Sequence, residues 1–95
     1  MTDLGGAPPL SVTVGVASVV VVKDNPSRKK IVLSNDSDTT IYLARAERAY
    51  INRGVRLGVG QTLIEEPDSR GRIYTGMWSA ISTAATKNLC VNEDR

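Results

Sequence analysis

The chain has 95 residues with 12 basic and 10 acidic side chains, and its net charge of +2 is too small to indicate nucleic-acid binding. The single cysteine, Cys90, excludes an internal disulfide, and the absence of histidine argues against a zinc site. A domain of this size buries only roughly 60 to 65% of its unfolded surface, so we expect it to gain stability by associating with other subunits.

The side chains that most enzymes use for acid–base chemistry are missing or scattered. Without histidine the chain has no Ser-His-Asp or Cys-His pair. The carboxylates lie in turns or near the chain ends, without the arrangement of a glycosidase pair. Gly58-Val59-Gly60 is similar to the start of a dinucleotide fingerprint, but the third glycine and a surrounding βαβ unit are absent. The sequence therefore predicts a protein that is not an enzyme, with no catalytic residue, cofactor or metal.

Residues 1–9 contain two glycines and two prolines and show no alternation of apolar and polar residues. This composition predicts a flexible N-terminal arm, followed by a single domain at 10–95. The arm is either a disordered tail or a segment that docks on a neighbouring subunit, with Leu4 and Leu10 as its anchors. It lacks the basic start and apolar middle of a signal peptide, so we expect an intracellular origin.

Residues 10–22 form the most apolar part of the chain. Val12, Val14 and Val16 alternate with small or polar residues, which predicts a half-buried strand. The run 19–22 is apolar on both faces, which predicts a segment that is central in the sandwich or covered by a partner chain. Ser, Thr and Gly interrupt the stretch, and it is shorter than the ~20 residues of a spanning helix, so no membrane anchor is expected.

The remainder of the chain alternates between short apolar runs and turn-forming residues. Turns are predicted at 35–38, 52–54 and 58–60. Strands are predicted at 31–33, 39–44, 55–57, 61–66, 73–74, 77–81 and 88–92. After the strand that ends near residue 44, we predict an irregular loop or a single helical turn. Residues 43–51 have helix-forming composition, and a short helix over one open end of the sandwich would also satisfy the pattern. The short strands predict an all-β fold, a small antiparallel β-sandwich or jelly-roll-like barrel of seven or eight strands.

Two features have both a structural and a functional interpretation. Arg28, Lys29 and Lys30 are either solvated edge charges or an electrostatic contact with an acidic surface. Trp78 is either a plug in the core or an exposed anchor for an interface or a sugar. The candidate contacts with other subunits or with a capsid are Leu4, Leu10, Val19, Val20, Val21, Arg28, Lys29, Lys30 and Trp78.

One order of turns and strands runs through residues 28–93. It comprises NDSD at 35–38, IYL at 41–43, GVRL at 54–57, GQTL at 60–63, IY at 73–74, WSAI at 78–81 and LCVNE at 89–93. This order resembles that of small tailed-bacteriophage virion proteins of the β-sandwich type, which decorate or cement the head or belong to the tail or fibre. The chain departs from that pattern at Ala44-Arg45, where a glycine usually follows the strand.

The resemblance implies a structural virion protein, most specifically a capsid decoration or cement protein. It implies binding to the major capsid protein and to itself, as a homotrimer or homodimer, on the outer capsid surface after assembly in the cytoplasm of the host bacterium. No direct contact with nucleic acid or membrane is implied. The alternative is a tail or head-fibre module that binds a receptor or carbohydrate. It requires exposed aromatic side chains, and the candidates are Trp78, Tyr42, Tyr50 and Tyr74. A third class is a small host-directed regulator, which would be absent from purified particles.

Overall fold

A computed structural model describes residues 10–94, which form eight strands and contain no helix. The strands are β1 (Leu10–Val14), β2 (Val19–Val22), β3 (Lys30–Asn35), β4 (Ile41–Ala44), β5 (Val55–Leu57), β6 (Thr62–Glu65), β7 (Trp78–Ser82) and β8 (Lys87–Asp94). The predicted all-β fold class is therefore confirmed. The predicted arm at 1–9, with Leu4, lies outside the described residues.

The strands form two four-stranded antiparallel sheets, with the orders β1-β8-β3-β6 and β2-β7-β4-β5. The first strand pairs with the eighth, the second with the seventh, the third with the sixth and the fourth with the fifth, as in one long hairpin. Two further pairings, β3 with β8 and β4 with β7, roll this hairpin into two sheets. This is the strand order of an eight-stranded jelly roll.

Alternation along the strands places one apolar row of each sheet in the core. In β3, Ile31 and Leu33 are fully buried, while Val32 between them is half-buried on the other face. In β4, Ile41 and Leu43 alternate in the same way. The core consists of Val14, Val21, Val22, Ile31, Leu33, Ile41, Leu43, Leu57, Trp78, Ala80, Leu89 and Val91. Trp78 thus supplies the one large ring of an otherwise aliphatic core.

The four valines of β2 lie at the edge of their sheet, so the first of the two predicted alternatives, a central position, is wrong. Within residues 10–94, β2 pairs with β7 alone. A bulge between Val20 and Val22 shifts the register, and as a result the consecutive Val21 and Val22 are both buried. The bulge therefore explains an apolar run without alternation in a strand that has one neighbour.

Two predicted secondary-structure assignments need correction. The alternation at 10–16 ends early, because β1 stops at Val14 and Val16 lies beyond it with 66% of its surface exposed. The strand predicted at 73–74 is not present, since no strand lies between β6 and β7. The segment between β6 and β7 instead provides the carbonyl groups of Tyr74 and Gly76, which accept hydrogen bonds from the Arg28 side chain.

Residues 45–54 form an irregular loop, so the helical alternative is wrong and the predicted loop is confirmed. The loop crosses the outer face of the second sheet, where Ser79 Oγ donates to the Ala46 carbonyl at 2.6 Å and Ala49 N–H donates to Ser18 Oγ at 2.7 Å. The predicted turn ends at Gly54, whose φ is 79°. A Cβ there would collide with the Leu43 carbonyl oxygen, so the return to β5 requires glycine.

Candidate interaction surface

The two lateral sides of the sandwich are each built from consecutive strands. Four residues separate β1 from β2, and four separate β5 from β6, so each pair changes sheets through a short connection. In the described part of the chain each of these four strands has one hydrogen-bonded neighbour. We call residues 10–22 the charge-free edge, because they include no Asp, Glu, Lys or Arg, and residues 55–66 the charged edge.

Apolar side chains are exposed along the charge-free edge. Leu10 is 58% exposed, Val16 66% and Val20 40%. Val19 is half-buried, and Val21 points into the core with 7% of its surface exposed. Of the predicted contact residues, Leu10 and Val20 are therefore available to a partner and Val21 is not. An edge strand also leaves a row of backbone N–H and C=O groups for another strand to bind.

The charge-free edge also contains residues that the sequence interpretation did not single out. Ser11 and Thr13 of β1 are exposed on the outer face of the first sheet, where they pair with Cys90 and Asn88 of β8. Their signal was present in the sequence, because they alternate with Val12 and Val14. As the polar half of an alternating strand, however, they give no separate signal of an interface.

The charged edge carries Arg56, Glu65 and Glu66 within and just after its short strands. Exposed apolar residues also occur there, with Val59 59% exposed in the turn and Ile64 53% exposed on β6. Charges next to these side chains oppose edge-to-edge pairing, which is how natural sheets protect their edges. The two sides of the sandwich thus differ in charge more than in apolar exposure.

An ion pair links the two sheets on the side of the charged edge. Arg45 Nη2, just after β4, contacts Glu65 Oε2 on β6. The same guanidinium lies 5.4 Å from the centre of the Trp78 ring and 5.9 Å from that of Tyr74. Both distances are within the range of a cation–π contact. Glu65 Oε1 and Trp78 Nε1 are buried without a hydrogen-bond partner.

The Arg28 side chain is inside the fold, so its predicted role as a surface contact is corrected. It is 2% exposed, and Nε donates to Glu93 Oε2 at 2.6 Å. Its terminal nitrogens donate to the carbonyl groups of Tyr74, Gly76 and Lys23. A guanidinium can satisfy several acceptors in one plane, which explains why an arginine is tolerated there. The residue joins the β2–β3 connection, the end of β8 and the segment before β7.

The remaining predicted contacts divide between the surface and the core. Lys29 is exposed and Lys30 is half-buried, and Lys30 pairs across the sheet with Asp94. Trp78 is fully buried, so the core interpretation is confirmed and the interpretation as an exposed anchor is wrong. Its ring packs edge-on to Tyr74, with centroids 6.0 Å apart.

Two of the grooves formed by residues 10–94 lie beside the edges of the sandwich. One, of roughly 430 Å³, runs between the 45–54 loop and the 15–18 connection beside the charge-free edge, and its apolar walls include Val16, Tyr50 and Ile81. The other, of roughly 370 Å³, lies beside the Arg45–Glu65 pair. Residues 10–94 contain no group of three His, Cys, Asp or Glu side chains placed to hold a metal ion.

The pKa is lowered at Asp38 and at Asp68, and both carboxyl groups lie in exposed turns. The pKa of Asp38 is below its ordinary value because Lys87 Nζ donates a hydrogen bond to Oδ1 at 2.6 Å. The pKa of Asp68 is lowered because the backbone N–H groups of Arg72 and Arg70 donate to it. These bonds stabilise turns, and neither carboxyl belongs to a cluster with catalytic geometry.

Comparison with protein-family models, with curated proteins and with solved structures found no match for the chain. Among residues 10–94, no helix has the length and hydrophobicity needed to cross a membrane.

Proposed function

We propose that the chain is a structural protein of a tailed-bacteriophage virion, most specifically a capsid decoration protein. In this proposal it binds the major capsid protein and further copies of itself on the outer capsid surface, and it is assembled in the host cytoplasm. It acts by holding subunits together and does not transform a substrate. Two kinds of observation support the proposal, one from the strand pattern and one from the surface.

The strand pattern supports it by resemblance. The order of turns and strands over residues 28–93 resembles that of small phage virion proteins. The jelly-roll order of the two sheets is compatible with this class, because jelly rolls are frequent in viral capsid proteins. Jelly rolls also occur in lectins and in cupins, so the fold alone does not select a function.

The observation that carries the proposal is the charge-free edge. A chain that works alone in solution usually protects its edge strands with charge, proline or a covering segment. Residues 10–22 carry neither charge nor proline, and they expose Leu10, Val16 and Val20. Such an edge is typical of a subunit that is completed by its neighbours in an assembly.

The alternative of a carbohydrate-binding fibre module receives less support from the aromatic side chains. Trp78 is buried, and Tyr42 and Tyr74 are half-buried. Each of these two hydroxyl groups donates a hydrogen bond within the chain, from Tyr42 to Asn52 and from Tyr74 to the Met77 carbonyl. Tyr50 is 49% exposed and lines a groove, so it is the aromatic candidate that this alternative retains.

Mass spectrometry of purified virions tests the proposal. We expect the chain in intact particles, at a copy number comparable to that of the major capsid protein, and retained on heads after tails are removed. Its recovery only with tails or fibres would favour the carbohydrate-binding alternative, for which a glycan array with wild type and Tyr50→Ala is the follow-up. Its absence from particles would contradict both.

A further inference from the structure

We propose that two copies of the chain pair through β1, antiparallel and edge to edge, so that their first sheets become one eight-stranded sheet. The inference rests on the proposed structural function in one respect, since both require that the chain acts by association. It goes further by naming the surface, the partner and the register. The partner is a second copy of this chain.

The backbone of β1 provides the first argument. β1 is a regular five-residue strand whose register with β8 runs without interruption from Leu10 to Val14. Within the described residues no strand lies on its other side. β2, the other strand of the charge-free edge, contains a bulge that interrupts its register. A flat, uninterrupted edge accepts another strand more readily than a bulged one.

Charge is the argument for a second copy as the partner. In a two-fold pairing each residue near the axis faces itself or a close neighbour in the other copy. A charged residue on the axis would face the same charge in the other copy, and charges of one sign on both sides of the axis would face each other, which is destabilising. Residues 10–22 contain no charged side chain, so the edge is compatible with its own copy. The charged edge is less compatible with its own copy, because self-pairing there would bring a second set of the charges of Arg56, Glu65 and Glu66 into the interface.

The sequence of β1 indicates the register. With the two-fold axis at Val12, Ser11 faces Thr13 of the second copy, and Leu10 faces Val14 of the second copy. Directly opposed residues share a face of the sheet. Ser11 and Thr13 therefore form a polar, hydrogen-bonding row on the outer face. Leu10, now 58% exposed, then covers the apolar side of the second copy's sandwich.

Charge reversal across the axis tests this register. The variant S11K/T13K should raise the dimer dissociation constant by about 10- to 30-fold, because like charges oppose each other twice. The variant S11E/T13E should do the same. An equimolar mixture of the two should form a heterodimer at least as stable as the wild-type dimer, since every opposed pair is then attractive. Sedimentation velocity over a range of concentrations measures all three.

Thr62→Lys is the matched control. Thr62 is exposed on β6, the opposite edge strand of the same sheet, and this substitution should leave the dissociation constant within about twofold of wild type. Because Ser11, Thr13 and Thr62 are exposed, all variants should keep the wild-type circular dichroism spectrum. The proposal is overturned by a wild-type chain that stays monomeric or forms trimers, by variants that dimerise normally, or by a mixture that does not recover dimers.

The outcome is separable from that of the proposed function. Binding of S11K/T13K to capsids that lack the chain reports on decoration independently of pairing. A monomeric variant that still binds capsids would leave both proposals intact. A wild-type dimer that is absent from virions would support the pairing and contradict the virion function.

Discussion

The two sides of the sandwich both have edge strands with unpaired backbone groups, but they differ in the charge beside those strands. Each consists of two edge strands that change sheets through a four-residue connection, and each exposes aliphatic side chains. The charged edge is short and carries Arg56, Glu65 and Glu66, whereas the charge-free edge has no charge over residues 10–22. Charge therefore protects one side alone, and on the other side only β2 carries a protective feature, its bulge.

Because the two edges differ in charge and not in apolar exposure, exposed apolar area is not the best guide to an interface in this chain. Ile64 on the charged edge is 53% exposed and Leu10 on the charge-free edge is 58% exposed. What separates them is the neighbouring charge and the ion pair between Arg45 and Glu65, which ties the two sheets together on one side.

The largest change in the free energy of unfolding is expected at Arg28. This residue belongs to neither edge, and its substitution provides the reference for a loss of folding stability. Arg28→Ala should lower the free energy of unfolding by about 3 to 5 kcal/mol, because it leaves Glu93 and three carbonyl groups without their buried donor. Lys29→Ala, at the exposed neighbour, should change it by less than about 0.5 kcal/mol. Urea unfolding measures both. Equal, small effects would show that Arg28 is a surface residue after all.

The next effect concerns the ion pair on the charged edge. Arg45→Ala should lower the free energy of unfolding by about 1 kcal/mol, since it removes the partner of Glu65 and the cation over Trp78. The arginine side chain is 54% exposed, which limits the electrostatic part. Urea unfolding of Arg45→Ala, Glu65→Gln and the double variant gives the coupling energy between the two side chains. Additive changes in the free energy of unfolding would exclude a coupling. The oligomeric state should not change.

A matched pair of lysine substitutions compares the edges directly. Leu10→Lys and Ile64→Lys each replace an exposed aliphatic residue on an edge strand of the first sheet. Neither should change the free energy of unfolding of the subunit by more than about 0.5 kcal/mol. Only Leu10→Lys should weaken self-association, by about 5- to 10-fold, because it puts charge on the pairing edge. Equal weakening in sedimentation experiments would remove the distinction between the edges.

The smallest effect is expected from acid. Residues 10–22 contain no titratable side chain, so self-association should stay constant from neutral pH to about pH 4. The lowered pKa of Asp38 stabilises the folded state above the ordinary value of 3.8, and this contribution is lost as the pH falls through the lower, folded-state pKa. Asp38→Asn should therefore flatten the acid side of the stability curve slightly. A dimer that dissociates between neutral pH and about pH 4 would place titratable groups in the interface.

Local periodicity predicts the fold class and most of the strand positions. The alternation of Ile41 with Leu43, and of Leu89 with Val91, identified inward positions that are buried. Strand order could not follow from it, because pairing of β1 with β8 depends on contacts across the whole chain. The bulge in β2 was also beyond reach, since four consecutive valines are compatible with several registers.

The candidate site was predicted less completely than the fold. The exposed apolar residues Leu10 and Val20 were found from the sequence, and the chain-wide order of strands shows that they share one side. Arg28 was misinterpreted, because a cluster of three basic residues resembles a solvated surface. Its carbonyl partners, at Tyr74 and Gly76, are distant in sequence and have no side-chain signal. Side-chain type alone does not reveal which member of a charged cluster is buried.

Amide hydrogen exchange at the two edge strands of the first sheet is the most direct test of the charge-free edge as the contact surface. The amides of β1 (Leu10–Val14) and β6 (Thr62–Glu65) are to be followed at rising protein concentration. Exchange in β1 should slow as dimers form, while exchange in β6 stays the same. Exchange in β1 that is independent of concentration, or slowing confined to β6, would contradict it.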